Sequence, residues 1–179
     1  MLVVNLFGAP GAGKSTGAAY VFSKLKMAGV NAELVTEYAK DKVWEGNEEV
    51  FKNQAYIFGK QYFRISRLQN KVDVVVTDSP LLLSSFYTED PILGDTFDRM
   101  VMSVFNSYDS FNAFIVRVKP YNEAGRFQTE AESDQVSIRL QMFLDGRNVP
   151  YCFYEGCEKA YDKMVNDILT KLKSENPTR

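Results

Sequence analysis

The chain has 179 residues with 45% hydrophobic content, enough for one domain with a sizeable core, so a single unit spanning 1–179 is expected. Its 21 basic and 23 acidic residues leave a net charge of −2, which argues against global attraction to nucleic acid or membrane and leaves only a local basic groove open. Histidine is absent, which excludes His-based acid–base catalysis and His-ligated metals and leaves carboxylates, lysines and arginines to carry any chemistry.

In chain order, Leu2, Val3, Val4, Leu6 and Phe7 form a short apolar run with the composition of a strand buried on both faces. Residues 8–15, GAPGAGKS, match G-x-x-x-x-G-K-[ST] at every fixed position, with a strand before and a helix after. This is the pattern of a phosphate-binding loop (P-loop). Gly8, Gly11 and Gly13 let the backbone curl so that successive N–H groups, through Ala12, Lys14, Ser15 and Thr16, face phosphate oxygens. Lys14 is then placed to reach the β and γ phosphates, and Ser15 to ligate Mg²⁺.

Residues 14–28 carry Ala18, Val21, Phe22, Leu25 and Ala28 at helical spacing, and Gly29 follows where a C-terminal cap belongs. A second strand is predicted over 30–35, ending in Thr36, Glu37 and Tyr38 at the sheet edge where parallel α/β folds collect ligands. Residues 41–70 read as largely helical, with an apolar stripe of Phe51, Ala55, Phe58, Tyr62, Ile65 and Leu68. Gln54, Gln61, Arg64 and Arg67 fall off that stripe or at its rim, either facing substrate or merely solvated. The third strand, 72–76, runs into Thr77, Asp78, Ser79 and Pro80. Asp78 is the first choice for the carboxylate that organises Mg²⁺ beside Ser15; the alternative is a cap of the next helix or turn.

A helix over 91–108 and a fourth strand over 111–118 follow. Residues 119–132, KPYNEAGRFQTEAE, are polar and contain Gly125 and Arg126, the composition of a mobile lid or of an ordinary connection, and open a helix over 130–144. Asp145 and Gly146 break it, 149–154 reads as a fifth strand, and 158–172 as a closing helix. The alternation predicts an α/β chain of P-loop NTPase fold: a five-stranded, doubly wound parallel sheet with a lid segment.

The remaining segments choose among P-loop enzymes. Asn70 to Asp73 spell the N-K-x-D guanine signature, but ahead of a strand instead of at its C-terminal end, so it reads as coincidence, and no D-x-x-G follows the third strand. A motor ATPase would carry a second carboxylate after Asp78, where Ser79 and Pro80 stand. A small kinase fits better: ATP and Mg²⁺ as donor complex, Glu37 to orient the acceptor hydroxyl or take its proton, and Arg126 as the lid cation, with Arg139 and Arg117 as further candidates. The alternative is a nucleotide-dependent regulatory or binding ATPase. Cys152 and Cys157, the only cysteines, lie too close in sequence for a disulfide framework or metal site. No signal peptide or membrane span is read, so a cytoplasmic protein with no membrane partner is expected.

GAPGAGKST, VTEYAKD after the second strand, the Gln- and Arg-bearing helix, VVVTDSPLLL and the KPYNEAGRFQTEAE segment together resemble the small P-loop kinases grouped with the ribosylnicotinamide kinase domain and with bacteriophage AAA-ATPase-like proteins. The resemblance spans nearly the whole chain. In the more distantly similar deoxynucleoside kinases, a Glu after strand two lies at the acceptor hydroxyl and a Gln on the next long helix reads the base. The resemblance therefore implies those roles for Glu37 and for Gln54 or Gln61. The departure is at Asp78, Ser79 and Pro80, where those kinases carry Glu-Arg-Ser. The chain is also similar to a bacteriophage kinase acting on 5-hydroxymethyluracil within DNA. Such an acceptor would need an aromatic pocket for a flipped base, for which Tyr38, Trp44, Tyr56, Phe86, Tyr87, Tyr121 and Phe127 are candidates.

Overall fold

Strand β1 (Leu2–Phe7) is buried at all of its positions, because both faces of a parallel sheet must be covered and this strand lies at the centre. The computed structural model describes residues 1–40, 48–122 and 129–175, and the side chains of 48 and 175 are left aside. The strands β1, β2 (Ala32–Val35), β3 (Val74–Thr77), β4 (Asp109–Val116) and β5 (Cys152–Glu155) form one sheet in the order β2-β3-β1-β4-β5, every pair parallel. The helices bounded within the described residues are α1 (Lys14–Met27), α2 (Gln54–Ser66), α3 (Leu82–Phe86), α4 (Gly94–Asn106), α5 (Glu130–Asp145) and α6 (Glu158–Glu175).

Period-two alternation divides the core. Leu2, Val4 and Leu6 meet Val21 and Leu25 of α1 and Met164 and Ile168 of α6. Val3 and Phe7 pack on the other face with Phe58 and Ile65 of α2, Phe97 and Val101 of α4, and Leu140 and Leu144 of α5. Helices thus cover both faces, the doubly wound arrangement expected. The strand order reverses at β1, so the crevice at its C-terminal end is the topological switch point where such sheets bind ligands. One polar pair crosses this apolar sheet. Asn5 and Asn112 are register partners, Asn5 Nδ2 donating to Asn112 Oδ1 at 3.0 Å while Asn112 Nδ2 donates to the Pro150 carbonyl at 3.0 Å.

Several boundaries differ from expectation for local reasons. Gly29, at φ +81°, caps α1 as predicted, but its motif also takes Val30, whose N–H bonds the Leu25 carbonyl at 3.0 Å, so β2 starts two residues late. Within the span expected as one long helix, residues 48–52 form a 3₁₀ turn and α2 begins only after Asn53, whose side chain accepts the Tyr56 N–H at 3.0 Å. That restart rotates the buried stripe to Gln54, Ile57, Phe58, Gln61 and Ile65 and leaves Tyr62 37% exposed. The short helix α3 was not anticipated. Asn148, at φ +53°, and the bond from Val149 N–H to the Leu144 carbonyl finish α5, so β5 begins only at Cys152. Helix α5 opens on a capping box, Thr129 accepting from Glu132 N–H while the Glu132 side chain reaches back to Thr129. The N-K-x-D string lies in the turn before β3, with Asn70 at φ +62°, at the edge opposite the P-loop, consistent with coincidence. No helix of the described residues is long and apolar enough to cross a membrane.

Candidate active site

Residues 8–13 leave the end of β1 through three glycines with positive φ: Gly8 at +143°, Gly11 at +78° and Gly13 at +101°. Close packing enforces two of them as strongly as the backbone does. A Cβ on Gly8 would stand 2.7 Å from the Ile115 carbonyl oxygen, and one on Gly13 would stand 2.6 Å from the Tyr161 hydroxyl. Helix α1 then starts at Lys14 with no side-chain cap and no acidic residue in its first turn, so nothing negative competes with an incoming anion for its N–H groups. The Lys14 ammonium lies over the loop, donating to the Gly8 and Ala9 carbonyls at 2.7 and 3.0 Å. Ser15 and Thr16 are exposed.

Beside the loop, a cleft of about 290 Å³ is lined by Ser15, Ala18, Ala19, Leu34, Thr36, Glu37, Lys40 and Asp78. Three residues singled out from sequence, on α1, after β2 and after β3, therefore share one wall. Asp78 is buried and its Oδ1 accepts the Glu37 backbone N–H at 3.1 Å, which leaves Oδ2 available to a cation. The Ser15 hydroxyl and the Asp78 carboxylate are hard oxygen donors on a common cleft. Mg²⁺ in phosphate-transfer sites takes one or two protein oxygens, with water and phosphate completing its shell, so this donor set fits. Lys40 is the cation of the cleft, and the sequence reading passed over it.

The segment 36–38 is held on three successive residues. Arg64 Nη1 donates to the Thr36 carbonyl at 3.1 Å, Asp78 holds Glu37 N–H, and Gln61 Oε1 accepts the Tyr38 N–H at 3.1 Å. Gln61 also donates to Thr77 Oγ1 at 3.3 Å, tying α2, β3 and this segment together from a position only 2% exposed. The Arg64 guanidinium lies 5.1 Å from the centre of the Tyr38 ring, whose hydroxyl meets that of Tyr56 at 2.9 Å. Gln54 is buried with its amide donating to the Phe51 carbonyl at 2.9 Å. Neither glutamine is the solvated rim residue that stripe counting allowed, and Gln61 is held at both ends of its amide. Gln61, Arg64 and Tyr38 brace the Glu37 segment.

Across from Glu37 stands Tyr87, just beyond α3. Tyr87 keeps 40% of its surface exposed, but the crowding of protein around its hydroxyl and the neighbouring Glu37 carboxylate push that hydroxyl up to about 12, against the opposing pull of Arg139 on α5. The Arg139 guanidinium also lies 5.9 Å from the centre of the Phe86 ring. Arg117 bridges Glu130 and Asp134 in the first turns of α5, with the Tyr121 ring centre 5.2 Å away, and lines a pocket shared with Ala9 and Ala12 of the loop. Arg126, Phe127 and Trp44 lie outside the described residues. Two buried hydroxyls near the loop also escaped the sequence reading. Tyr161 of α6 donates to the Gly13 carbonyl at 3.0 Å, and Ser133 of α5 donates to the Pro10 carbonyl at 2.7 Å. No local pattern announces either, because each partner is more than a hundred residues away.

Among solved structures, the fold is similar to that of the NadR protein in complex with NR, at TM-score 0.71 and 14% identity, over 93% of this chain and 50% of that one. The chain thus spans about half the length of that relative. It is also similar to deoxyadenosine kinase from M. mycoides with bound dATP, at TM-score 0.55 and 17% identity, over 96% and 99% of the two chains. At these identities the likeness is one of fold. No curated protein matches the sequence. A family model described as AAA domain matches residues 3–157, most of the chain, and with its glycine loop and parallel sheet this protein belongs to the AAA domain family.

Proposed function

We propose that residues 1–179 form one kinase unit that transfers the γ-phosphoryl group of ATP to a hydroxyl of a nucleoside-like acceptor. The observation that carries this reading is the convergence of Ser15, Glu37, Lys40 and Asp78 on one cleft beside the P-loop. In this reading the loop N–H groups from Gly11 to Thr16 and the Lys14 ammonium would hold the ATP phosphates, and Ser15 and Asp78 would hold Mg²⁺, which supplies charge neutralisation on them. Glu37 takes the proton of the acceptor hydroxyl as its oxygen bonds to the γ-phosphorus, the bond to the β–γ bridging oxygen breaks, and ADP leaves. Gln61, Arg64 and Tyr38 fix the backbone that aims Glu37. Lys40 offers a cation to the transferred group from the β2 side, and Arg126 and Arg139 are the candidates from the lid side.

The fold likeness to one structure holding NR and to another named a deoxyadenosine kinase supports a nucleoside-like acceptor. Phe86 and Tyr87, facing Glu37 and Arg139, supply aromatic surface for its base. Modified pyrimidine in DNA is the finer possibility, and the near-neutral charge of the chain favours a free nucleoside over a long DNA footprint. Incubation with γ-labelled ATP and separate pools of nucleosides, ribosylnicotinamide, and DNA with or without 5-hydroxymethyluracil is expected to label a nucleoside pool. Label found only as free phosphate in every pool would replace the kinase with a regulatory ATPase. Glu37→Gln is expected to lower transfer by about 10²-fold or more with ATP affinity nearly unchanged, as for loss of a general base; unaltered turnover removes Glu37 from the role.

A further inference from the structure

We infer that Ser133 and Tyr161 are positioning residues for nucleotide binding, gripping the P-loop from opposite layers of the fold and presetting the N–H groups that meet phosphate. The inference rests on the reading of residues 8–16 as the ATP site. Helix α5, which carries Ser133, packs with Leu140 and Leu144 on one face of the sheet, and α6, which carries Tyr161, packs with Met164 and Ile168 on the other. Each hydroxyl donates to one loop carbonyl, Ser133 to Pro10 and Tyr161 to Gly13. In a planar trans peptide the N–H points away from the C=O. Holding the Pro10 carbonyl outward therefore turns the Gly11 N–H inward, and holding the Gly13 carbonyl does the same for the Lys14 N–H.

These two peptides flank positive-φ glycines, Gly11 at +78° and Gly13 at +101°, where the backbone has the most freedom to flip. The Gly13 carbonyl also accepts the Gly17 N–H at 2.8 Å as the first bond of α1. Tyr161 thus fixes the N-terminus of the helix together with the loop. Both donors are deeply buried, Ser133 at 1% and Tyr161 at 3% exposure, so water does not substitute for them easily. Glycine at positions 13 and 17 makes room for the ring, since a Cβ at either would fall within 2.7 Å of Tyr161. The grip thus combines shape with two hydrogen bonds, and it orders the anion site before the anion arrives.

The test is calorimetric titration of Tyr161→Phe and Ser133→Ala with Mg·ATP, alongside KM values for ATP and acceptor. Tyr154→Phe is the control. It removes another buried tyrosine hydroxyl on the α6 side, bonded to Asp167 Oδ2 at 2.7 Å and away from the loop. Each loop variant is expected to bind ATP about three- to tenfold more weakly, as for loss of one buried hydrogen bond, with the acceptor KM unchanged. Tyr154→Phe is expected to lower the melting temperature comparably with wild-type ATP affinity. Unchanged ATP affinity in both loop variants overturns the inference, as does an equal loss in Tyr154→Phe or a wild-type protein that fails to bind ATP. ATP binding by wild type without transfer to any acceptor removes the kinase reading and leaves the grip standing.

Discussion

Gly156 lies in the turn between β5 and α6, against the back of the P-loop. A Cβ there would stand 2.3 Å from the Ala12 carbonyl oxygen and 3.3 Å from that of Val116, two backbone atoms that cannot swing aside. Gly156→Ala is therefore expected to displace the loop, destabilising the protein by about 1–3 kcal/mol as overpacking does, and to weaken ATP binding. Gly59, within α2, has nothing within 4 Å of the corresponding point. Gly59→Ala is expected to stabilise by about 0.5–1 kcal/mol through helix propensity, with ATP affinity unchanged. Scanning calorimetry and titration of the pair check both. The contrast marks what is legible at single residues. Gly8, Gly13, Lys14 and Ser15 stand in a contiguous pattern that sequence displays, and Glu37 and Asp78 each follow an apolar strand. Gly156, Tyr161 and Ser133 act on the loop across the fold, and neither spacing nor composition encodes such partners.

At the level of elements, strands β1, β3 and β4 and helices α1, α5 and α6 were visible as apolar runs or helical spacings, because burial on a fixed face imposes its period on the chain. The α2 region differs from one long helix because the Asn53 side chain caps a new start after the 3₁₀ turn, in a stretch whose hydrophobic spacing barely changes. Helix α3 has only five residues, too few for a period to register, and tertiary contacts hold it. Chief among these is Asp98 of α4, which accepts from Ser85 of α3 and, at 2.8 Å, from Arg147 beyond α5. Partial burial pushes the Asp98 carboxyl up, but the Ser85 hydroxyl and the Arg147 guanidinium outweigh it and hold the group below its ordinary value. A depressed carboxyl stabilises the fold above its unfolded value near about 4, and that contribution disappears as pH falls through the depressed folded value. Asp98→Asn is thus expected to melt below wild type at pH 7, and the two sets of melting temperatures should draw together as pH falls below about 4.

For the whole molecule, a ligand that binds only the folded state raises stability by mass action. Mg·ATP at a hundred times its dissociation constant is expected to add about 2.7 kcal/mol, a rise of roughly 5–10 °C in Tm for a chain of this size. Lys14→Ala at the same ATP concentration should lose most of that rise while keeping the apo Tm near wild type, which scanning calorimetry reads directly. The paired amides of Asn5 and Asn112 bear on this same global state. The apolar run of β1 could shift by two residues along β4 and still present the same faces to the two cores, since hydrophobic alternation alone does not distinguish such slips. A slipped pairing would break the Asn5–Asn112 bond and leave the Asn112 Oδ1 without that donor, at about 1–3 kcal/mol for an unsatisfied group. It would also carry the end of β1, and Gly8 with it, about 6.6 Å along the sheet, away from the Ile115 carbonyl against which the loop closes. Two asparagines at the centre of the sheet thus act as a ruler, setting the height at which the nucleotide site emerges from it.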